Sequence, residues 1–515
     1  MRNPGQFFFI FIITFLGFSC KDNSSQEVVS PKTDEKENPI VTSILEDKES
    51  FYYVNFDEYP AMDRTLPIGV FDSGTGGLTV LDALVNFDNY NNETGEQGSD
   101  NEPDFRREQF IYLADQANMP YGNYSSEEKS DLLVEHILKD VQFLVSNKYY
   151  RHGKDSVYQQ DKLPVKSIVI ACNTATAYGS EIVQEFFLKT GVELKVIGVI
   201  DAGARGTLSR LEKDENASIG VMATVGTIQS KGYENTILRV KDELGYIGDI
   251  RIFNQGGHGI AEAVDEEPDF IDRRLKTPRD DYRGPGIDNP DFKIDKALMD
   301  IYNFNFDYNK MLCDSQDSDD CSVLQINDAE NYMRYHLVSL LEKIRTNKDS
   351  PPLKALVLGC THYPYLITEI KNILSELYNY EKNGNFIYRG YMLEEVAIVD
   401  PAVNVAEELY EYLHQKALFN PAGDIKDSEF YISVPNSINT NVQLDENGRF
   451  PYKYKYGRNS GEIQEYVKVV PFSRENIPQE TLDRMHISIP QTYDLIRIFN
   501  LSNPKTEFFK DDEKI

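Results

Sequence analysis

The sequence predicts an α/β chain built on parallel strands. Short runs of β-branched residues alternate with segments of helical spacing, and several runs stop on small polar residues that open a helix. Two of these stops have the same build. One is Ser167–Ile168–Val169–Ile170–Ala171–Cys172–Asn173–Thr174–Ala175, the other Leu356–Val357–Leu358–Gly359–Cys360–Thr361–His362–Tyr363–Pro364. β-Branched residues in a row, ending on a small one, read as a strand buried on both faces. In an open α/β sheet, ligands sit at the carboxyl ends of the strands. A thiol there, near helix-terminal N–H groups, is placed to ionise and to meet carboxylates. A single such Cys also reads as a small buried core residue. The second copy tilts the reading toward chemistry.

Taken in order, Pro67–Ile68–Gly69–Val70–Phe71 reads as a strand, and Asp72–Ser73–Gly74–Thr75–Gly76–Gly77 as a tight turn into a helix. That turn lacks the Lys of a phosphate loop, and Asp72 would repel phosphate. Phe110–Ile111–Tyr112–Leu113–Ala114–Asp115 is a second strand. It leads to a loop whose Pro120 and Gly122 set a turn around Tyr121. Leu132, Leu133, Ile137, Leu138, Val141 and Leu144 have the spacing of one helix over residues 125–147. Further strands are expected near residues 195–200 and 218–224, with Thr224 and Thr227 opening another helix, and helical spacing returns at residues 329–344. Residues 86–108 and 149–163 are polar insertions, and residues 266–328 form a long acidic one. Residues 429–434, 466–470 and 487–498 suggest packed strands and helices without a motif.

At 515 residues the chain is too long for one ordinary domain, and 40% apolar residues can fill substantial cores. The formal net charge of −31 argues against nucleic acid as a partner, since phosphate affinity needs a basic face. An acidic substrate would depend on local cations or backbone N–H groups.

The first twenty residues read as a targeting segment: Arg2, then an apolar run of about twelve residues, too short to span a bilayer. The run ends Leu16–Gly17–Phe18–Ser19–Cys20, which resembles the lipobox of bacterial lipoproteins, with Phe18 as a departure. The resemblance implies lipid attachment at Cys20 and a place in the cell envelope of a bacterium, periplasmic or on the outer membrane. Residues 21–50, mixed charged residues, Ser and Pro, read as a disordered tether. Of five cysteines, Cys313 and Cys321 remain beyond Cys20 and the strand-end pair. At short range in an oxidising compartment they read as a local disulfide. The four Asp between them read as a solvated acidic loop, so no metal is assigned.

Five ordered motifs resemble the glutamate racemases of the aspartate/glutamate racemase superfamily. They are Ile68 to Gly74 with Gly76–Gly77–Leu78, Ala114–Asp115 with Pro120–Tyr121–Gly122, Ala171 to Ala175, Thr224 with Thr227, Ser230 and Tyr233, and Leu358 to Pro364. The resemblance covers roughly residues 66–413. It implies two pseudo-symmetric parallel-sheet lobes with the active site between them, plus insertions and a C-terminal extension. The expected division is 66–199 for the first lobe, 200–365 for the second, 366–415 for a return to the first, and 416–515 for an extension without assigned role. It also implies cofactor-independent racemisation by two bases, with Cys172 serving D-glutamate and Cys360 L-glutamate. Asp72 would assist Cys172, and His362 would assist Cys360. Ser73, Pro120, Tyr121, Gly122, Asn173, Thr174, Thr224, Thr227 and Thr361 would hold the substrate. The acidic residue that family members carry in a Val-Glu pair has Glu262 and Asp265 as candidates here.

Three functions follow as expectations: racemisation of glutamate in the envelope, non-catalytic binding of an acidic amino acid or peptide, and racemisation or epimerisation of another acidic or wall-derived substrate. The partners expected are the small acidic substrate and, through the lipid, a membrane. A homodimer is allowed for.

Overall fold

The computed structural model describes residues 38–515, apart from Asp265, residues 267–268 and residues 316–319. The targeting segment, Cys20 and the tether as far as residue 37 therefore lie outside the described residues. The tether was expected to continue to residue 50, but the chain is helical at Pro39–Leu45, with Ile40, Val41 and Ile44 buried. Those three apolar residues at near-helical spacing are too few to stand out from the polar sequence around them.

Four strands, β1 (Ile68–Asp72), β2 (Phe110–Ala114), β3 (Ser167–Ile170) and β4 (Lys195–Gly198), form the parallel heart of one sheet. The second lobe begins with β5 (Ala217–Ala223) and β6 (Ile250–Gly256). A small hairpin of β7 (Met311–Cys313) and β8 (Leu324–Ile326) follows within the acidic insertion. Next come β9 (Leu353–Gly359), the exposed pair β10 (Glu381–Lys382) and β11 (Asn385–Phe386), and β12 (Met392–Val399). β13 (Glu429–Pro435) and β14 (Val467–Pro471) close the series.

The two large sheets have orders β14-β13-β2-β1-β3-β4 and β12-β9-β5-β6. Numbering the parallel strands within each lobe, both read 2-1-3-4. The two lobes thus repeat one topology, as the motifs implied. β1, β2, β3, β5 and all but one residue of β9 are buried along their length, because helices cover both faces. Each Ile or Val so enclosed contributes about 1.5–3 kcal/mol relative to an exposed one.

Two boundaries differ from expectation. β12 pairs with β9, so residues 366–399 complete the second lobe; the chain returns to the first only with the helix Pro401–Gln415, which packs on Leu78–Val85 and Val199–Leu208. The C-terminal hundred residues are not an appendage. β13 runs parallel to β2, with Phe430 opposite Tyr112 and Ile432 opposite Ala114, and β14 pairs antiparallel outside it. The helix expected over residues 125–147 is split into Gly122–Ser126 and Ser130–Val145, with Glu128 between them at φ 56°. The acidic insertion buries Phe270, Ile294, Tyr302 and Phe304 in the second lobe's core. Cys313 and Cys321 are joined there as a disulfide, Cα atoms 5.6 Å apart. Among the described residues no helix is long and apolar enough to cross a membrane.

One buried base ties the second lobe to pH. His336, on the helix Ala329–Thr346, has no exposed surface; Gln255 Nε2 donates to its Nδ1 at 3.0 Å, and its Nε2 donates to the His258 carbonyl at 3.0 Å. Burial first pushes its pKa down to about 3. The folded imidazole therefore stays neutral between about pH 6.5 and 3, where the unfolded one takes up a proton. Stability is lost as pH falls through that window, by up to ~1.4 kcal/mol per pH unit. The loss of unfolding free energy between pH 7 and pH 4 is expected to be smaller in His336→Gln than in the parent. Equal losses in denaturant titrations at the two pH values would contradict this.

Candidate active site

In each lobe the chain leaves strand 1 for one side and returns to place strand 3 on the other. Such reversals open a crevice beyond the carboxyl ends of the two strands. In the first lobe the crevice lies between β1 and β3, whose ends carry Asp72–Ser73 and Cys172. In the second it lies between β5 and β9, whose ends carry Thr224 and Cys360. The two thiols occupy equivalent positions, and both are free and buried.

Cys172 is the N-cap of the helix Asn173–Thr190, and its Sγ accepts from Ala175 N at 3.4 Å. It stands 3.6 Å from the Ser73 hydroxyl. Asp72 is buried beside it and accepts from the backbone N–H of Gly77 at 2.8 Å and of Gly74 at 3.3 Å. A Cβ at Gly77 would come within 2.5 Å of the Asp72 Cβ, so this turn needs glycine to cradle the carboxylate. Burial, then the charge of Asp72, pushes the Cys172 thiol up to about 12. Burial likewise raises Asp72, against the opposing effect of the Gly77 N–H and the thiol. Burial thus disfavours the charged form of both groups on this side of the site.

At Cys360 the neighbouring group is an imidazole. The Cys360 Sγ lies 3.6 Å from His362 Nδ1, and His362 precedes the short helix Tyr363–Leu366. Tyr363 is fully buried and donates to the Gly257 carbonyl at 3.3 Å, pinning this turn to the end of β6. Burial, then Cys360, then Glu262 raises the Tyr363 phenol, so half-buried Glu262 stands near the His-bearing turn. Asp265 lies outside the described residues.

The binding candidates fall into three groups. Asn173 Oδ1 accepts from the Tyr233 hydroxyl at 2.8 Å, joining the first lobe to the second, and Thr174 beside it is half-buried. Thr224 caps the short helix Val225–Gln229 through Thr227 N, and the two hydroxyls lie 3.0 Å apart. A Cβ on Gly226 would lie 3.6 Å from Gly122 Cα, and one on Gly76 would lie 3.2 Å from Thr361 Oγ1. The lobes therefore close on each other at Gly122 and at Thr361. Pro120 and Gly122 offer backbone.

Tyr121 is different. Its side chain is buried, and its hydroxyl lies 2.6 Å from Asp115 Oδ2 and 2.7 Å from Asp140 Oδ2. One hydroxyl proton cannot serve two carboxylates, so one carboxyl carries its own. Burial and the charge of Asp115 place that proton on Asp140, whose pKa is raised well above the usual carboxylate range. The phenol is thus an anchor for the Pro120–Gly122 turn, and its backbone faces the other lobe.

The sequence motifs gave no sign of what supports that turn. Ser433 on β13 donates to Asp115 Oδ1 at 2.6 Å, Tyr456 donates to the Pro120 carbonyl at 3.2 Å, Lys455 to that of Met119, and buried Arg458 to Asn118 Oδ1 at 2.8 Å. All four come from the C-terminal extension. A cavity of about 270 Å³ opens beside Cys360, Thr361, Asn173 and Tyr365, and its far wall includes Ser488 and Ile489 from the same extension.

No family model matches the chain. A glutamate racemase of Thermoanaerobacter pseudethanolicus is 27% identical over 367 residues, 71% of this chain and 88% of that protein. One from Oceanobacillus iheyensis is 33% identical over 183 residues, 36% of this chain and 50% of the relative. A solved glutamate racemase isoform from Bacillus anthracis is 23% identical, with 71% of this chain and 87% of that one covered at a TM-score of 0.40. The sequence relatives are glutamate racemases, and the likeness supports an amino-acid racemase.

Replacing Tyr121 by Phe should strand Asp140 without a partner. A loss of about 1–3 kcal/mol is expected, read as a shifted denaturant midpoint with an unchanged slope. An unchanged midpoint would contradict the anchoring role.

Proposed function

We propose that this chain racemises glutamate by proton exchange between Cys172 and Cys360, and that it does so anchored in the cell envelope. The observation that carries the first part is the pair of free, buried thiols at equivalent strand ends, each with its own partner: Asp72 and Ser73 for one, His362 for the other. The relatives are named glutamate racemases, which supports glutamate as the substrate.

Inverting a carbon requires a base on one face and an acid on the other. Burial and Asp72 keep Cys172 protonated, which suits it to be the acid of the resting state. A thiolate on Cys360, paired with His362, then removes the Cα proton of L-glutamate. Cys172 delivers its own proton to the opposite face, leaving D-glutamate, a Cys172 thiolate and a Cys360 thiol. The reverse reaction retraces these steps, with Asp72 able to accept the Cys172 proton. General acid–base catalysis of this kind contributes typically ~10²–10⁴-fold. Enantiomers have equal free energy, so kcat/KM must be equal in both directions; the unequal settings of the thiols show only in kcat and KM taken separately.

Deuterium incorporation at Cα in D₂O under reducing conditions tests the reading. Racemisation is expected to fall by at least ~10² in Cys172→Ser and Cys360→Ser. Cys172→Ser should still exchange the Cα proton of L-glutamate without inversion, and Cys360→Ser that of D-glutamate. Binding without exchange, unaffected by Cys172→Ser, would instead favour a non-catalytic acidic-ligand protein.

The envelope reading is supported by the apolar N-terminal run ending at Cys20 and by the Cys313–Cys321 disulfide, a bond that persists in oxidising compartments. Expressed in a lipoprotein-processing bacterium, the full chain should fractionate with membranes and take up labelled fatty acid, and Cys20→Ala should do neither. Equal partition of both forms into the soluble fraction would sink it.

A further inference from the structure

The acidic insertion of the second lobe borders a cavity of about 600 Å³, which shares no described lining residue with the one beside Cys360. Its size falls within the ~300–1,000 Å³ of small-molecule sites. Hydrogen bonds hold its walls. Arg279 donates its backbone N–H to Gln325 Oε1 at 3.0 Å, and its carbonyl accepts from Gln325 Nε2 at 2.7 Å, which ties it to β8. The Tyr282 hydroxyl donates to the Pro285 carbonyl and accepts from the Ile326 N–H, both at 3.0 Å. Asn289 Nδ2 donates to the Gly284 carbonyl at 2.9 Å.

The side chain of Arg279 is the unusual part of this wall. Its Cζ lies 5.5 Å from the centroid of the Tyr282 ring, and Nε, Nη1 and Nη2 are covered without a hydrogen-bond acceptor. The Asp281 carboxylate comes only within 3.6 Å of Nε, too far for a hydrogen bond, and is itself exposed. A guanidinium taken out of water with its donors unused is costly. Among the described residues lining the cavity, Arg279 alone is an Arg or Lys, and the other charged groups are carboxylates. Asp314 is engaged by the backbone N–H groups of Ser322 and Val323. Asp280 and Asp288 are exposed, and their side chains make no hydrogen bond or ion pair among the described residues. One cation and two free carboxylates around one space match a ligand that carries both signs. A polyanion would meet the carboxylates.

We propose that this cavity binds a short peptide by its free ends, the terminal carboxylate on Arg279 and the terminal ammonium on Asp280 and Asp288. At ~30 Å³ per water the space equals roughly twenty waters, so a single amino acid fills only part of it. A turn about the Arg279 side-chain torsions carries the guanidinium from the Tyr282 ring to the bound carboxylate. The exchange gives up one cation–π contact for two parallel charge-assisted hydrogen bonds. The inference uses no residue of the proposed racemase site and does not depend on that reading.

Titration calorimetry on the full chain tests this with tri-alanine, its N-acetyl and C-amide forms, free alanine and inorganic phosphate. Tri-alanine is expected to bind, and blocking either end should weaken it roughly tenfold to a hundredfold. Arg279→Met should bind tri-alanine and its amide equally, and Asp280→Asn with Asp288→Asn should bind tri-alanine and its acetylated form equally. Without peptide, Arg279→Met is expected to unfold at the parent's denaturant midpoint or above it, because an unsatisfied buried charge is gone. A much lower midpoint would mark a purely structural guanidinium and overturn the proposal. The blocked peptides test the parent even if a variant fails to fold. Failure of tri-alanine to bind, equal affinity for free and blocked forms, or tighter binding of alanine or phosphate would each overturn it.

Discussion

The site depends on two hydrogen-bonded strand pairings, β1 with β3 and β5 with β9. Parallel register fixes where each strand ends relative to its neighbour, with Phe71 opposite Ile170 and Ala223 opposite Gly359. One residue past those partners come Asp72, Thr224 and Cys360, and two past Ile170 comes Cys172. Because a one-residue slip turns every side chain to the other face, the thiols keep their places only while the buried runs behind them keep register. The enclosed Ile and Val of β3 and β9 thus hold the chemistry in place as well as the fold.

A strand end alone leaves loops free, and the substrate-side loop at residues 116–122 is held by something else. A phenol between two carboxyls grips it from within, and the C-terminal extension grips it from outside through Ser433, Lys455, Tyr456 and Arg458. β13 cannot be removed without uncovering β2, so the extension is part of the first lobe's core and of the site's support together. A catalytic pocket built from loops gains precision when their backbone is tied by buried hydrogen bonds, which are stronger in low dielectric and costly to leave unmade.

Sequence patterning carried the parallel strands well, since continuous β-branched runs are unambiguous when both faces are covered. It also carried both thiols, because the two stops repeat. It missed the helix at Pro39–Leu45, where three buried residues lie among charged ones. It placed the return to the first lobe too early, because nothing in residues 366–399 says which sheet β12 will join; that is decided by pairing with β9. Tyr121 was readable as a site residue but not as an anchor, since Asp140 lies nineteen residues away on another helix. The extension's role was invisible for the same reason. Contacts such as Arg458 to Asn118 join residues 340 apart and leave no local pattern.

The chain's own redox chemistry is divided by burial. Cys313 and Cys321 sit eight residues apart on a hairpin in the insertion, where a short closed loop makes pairing cheap in chain entropy. Cys172 and Cys360 lie at the ends of strands in different sheets, and each is 6% exposed. Oxidation of a thiol follows its thiolate character and its exposure. Burial beside Asp72 lowers both for Cys172. The same burial that disfavours the Cys172 thiolate shields the sulfur from oxidants. Two free thiols and a disulfide therefore coexist in one chain, the lobes keeping Cys172 and Cys360 covered while Cys313 and Cys321 pair.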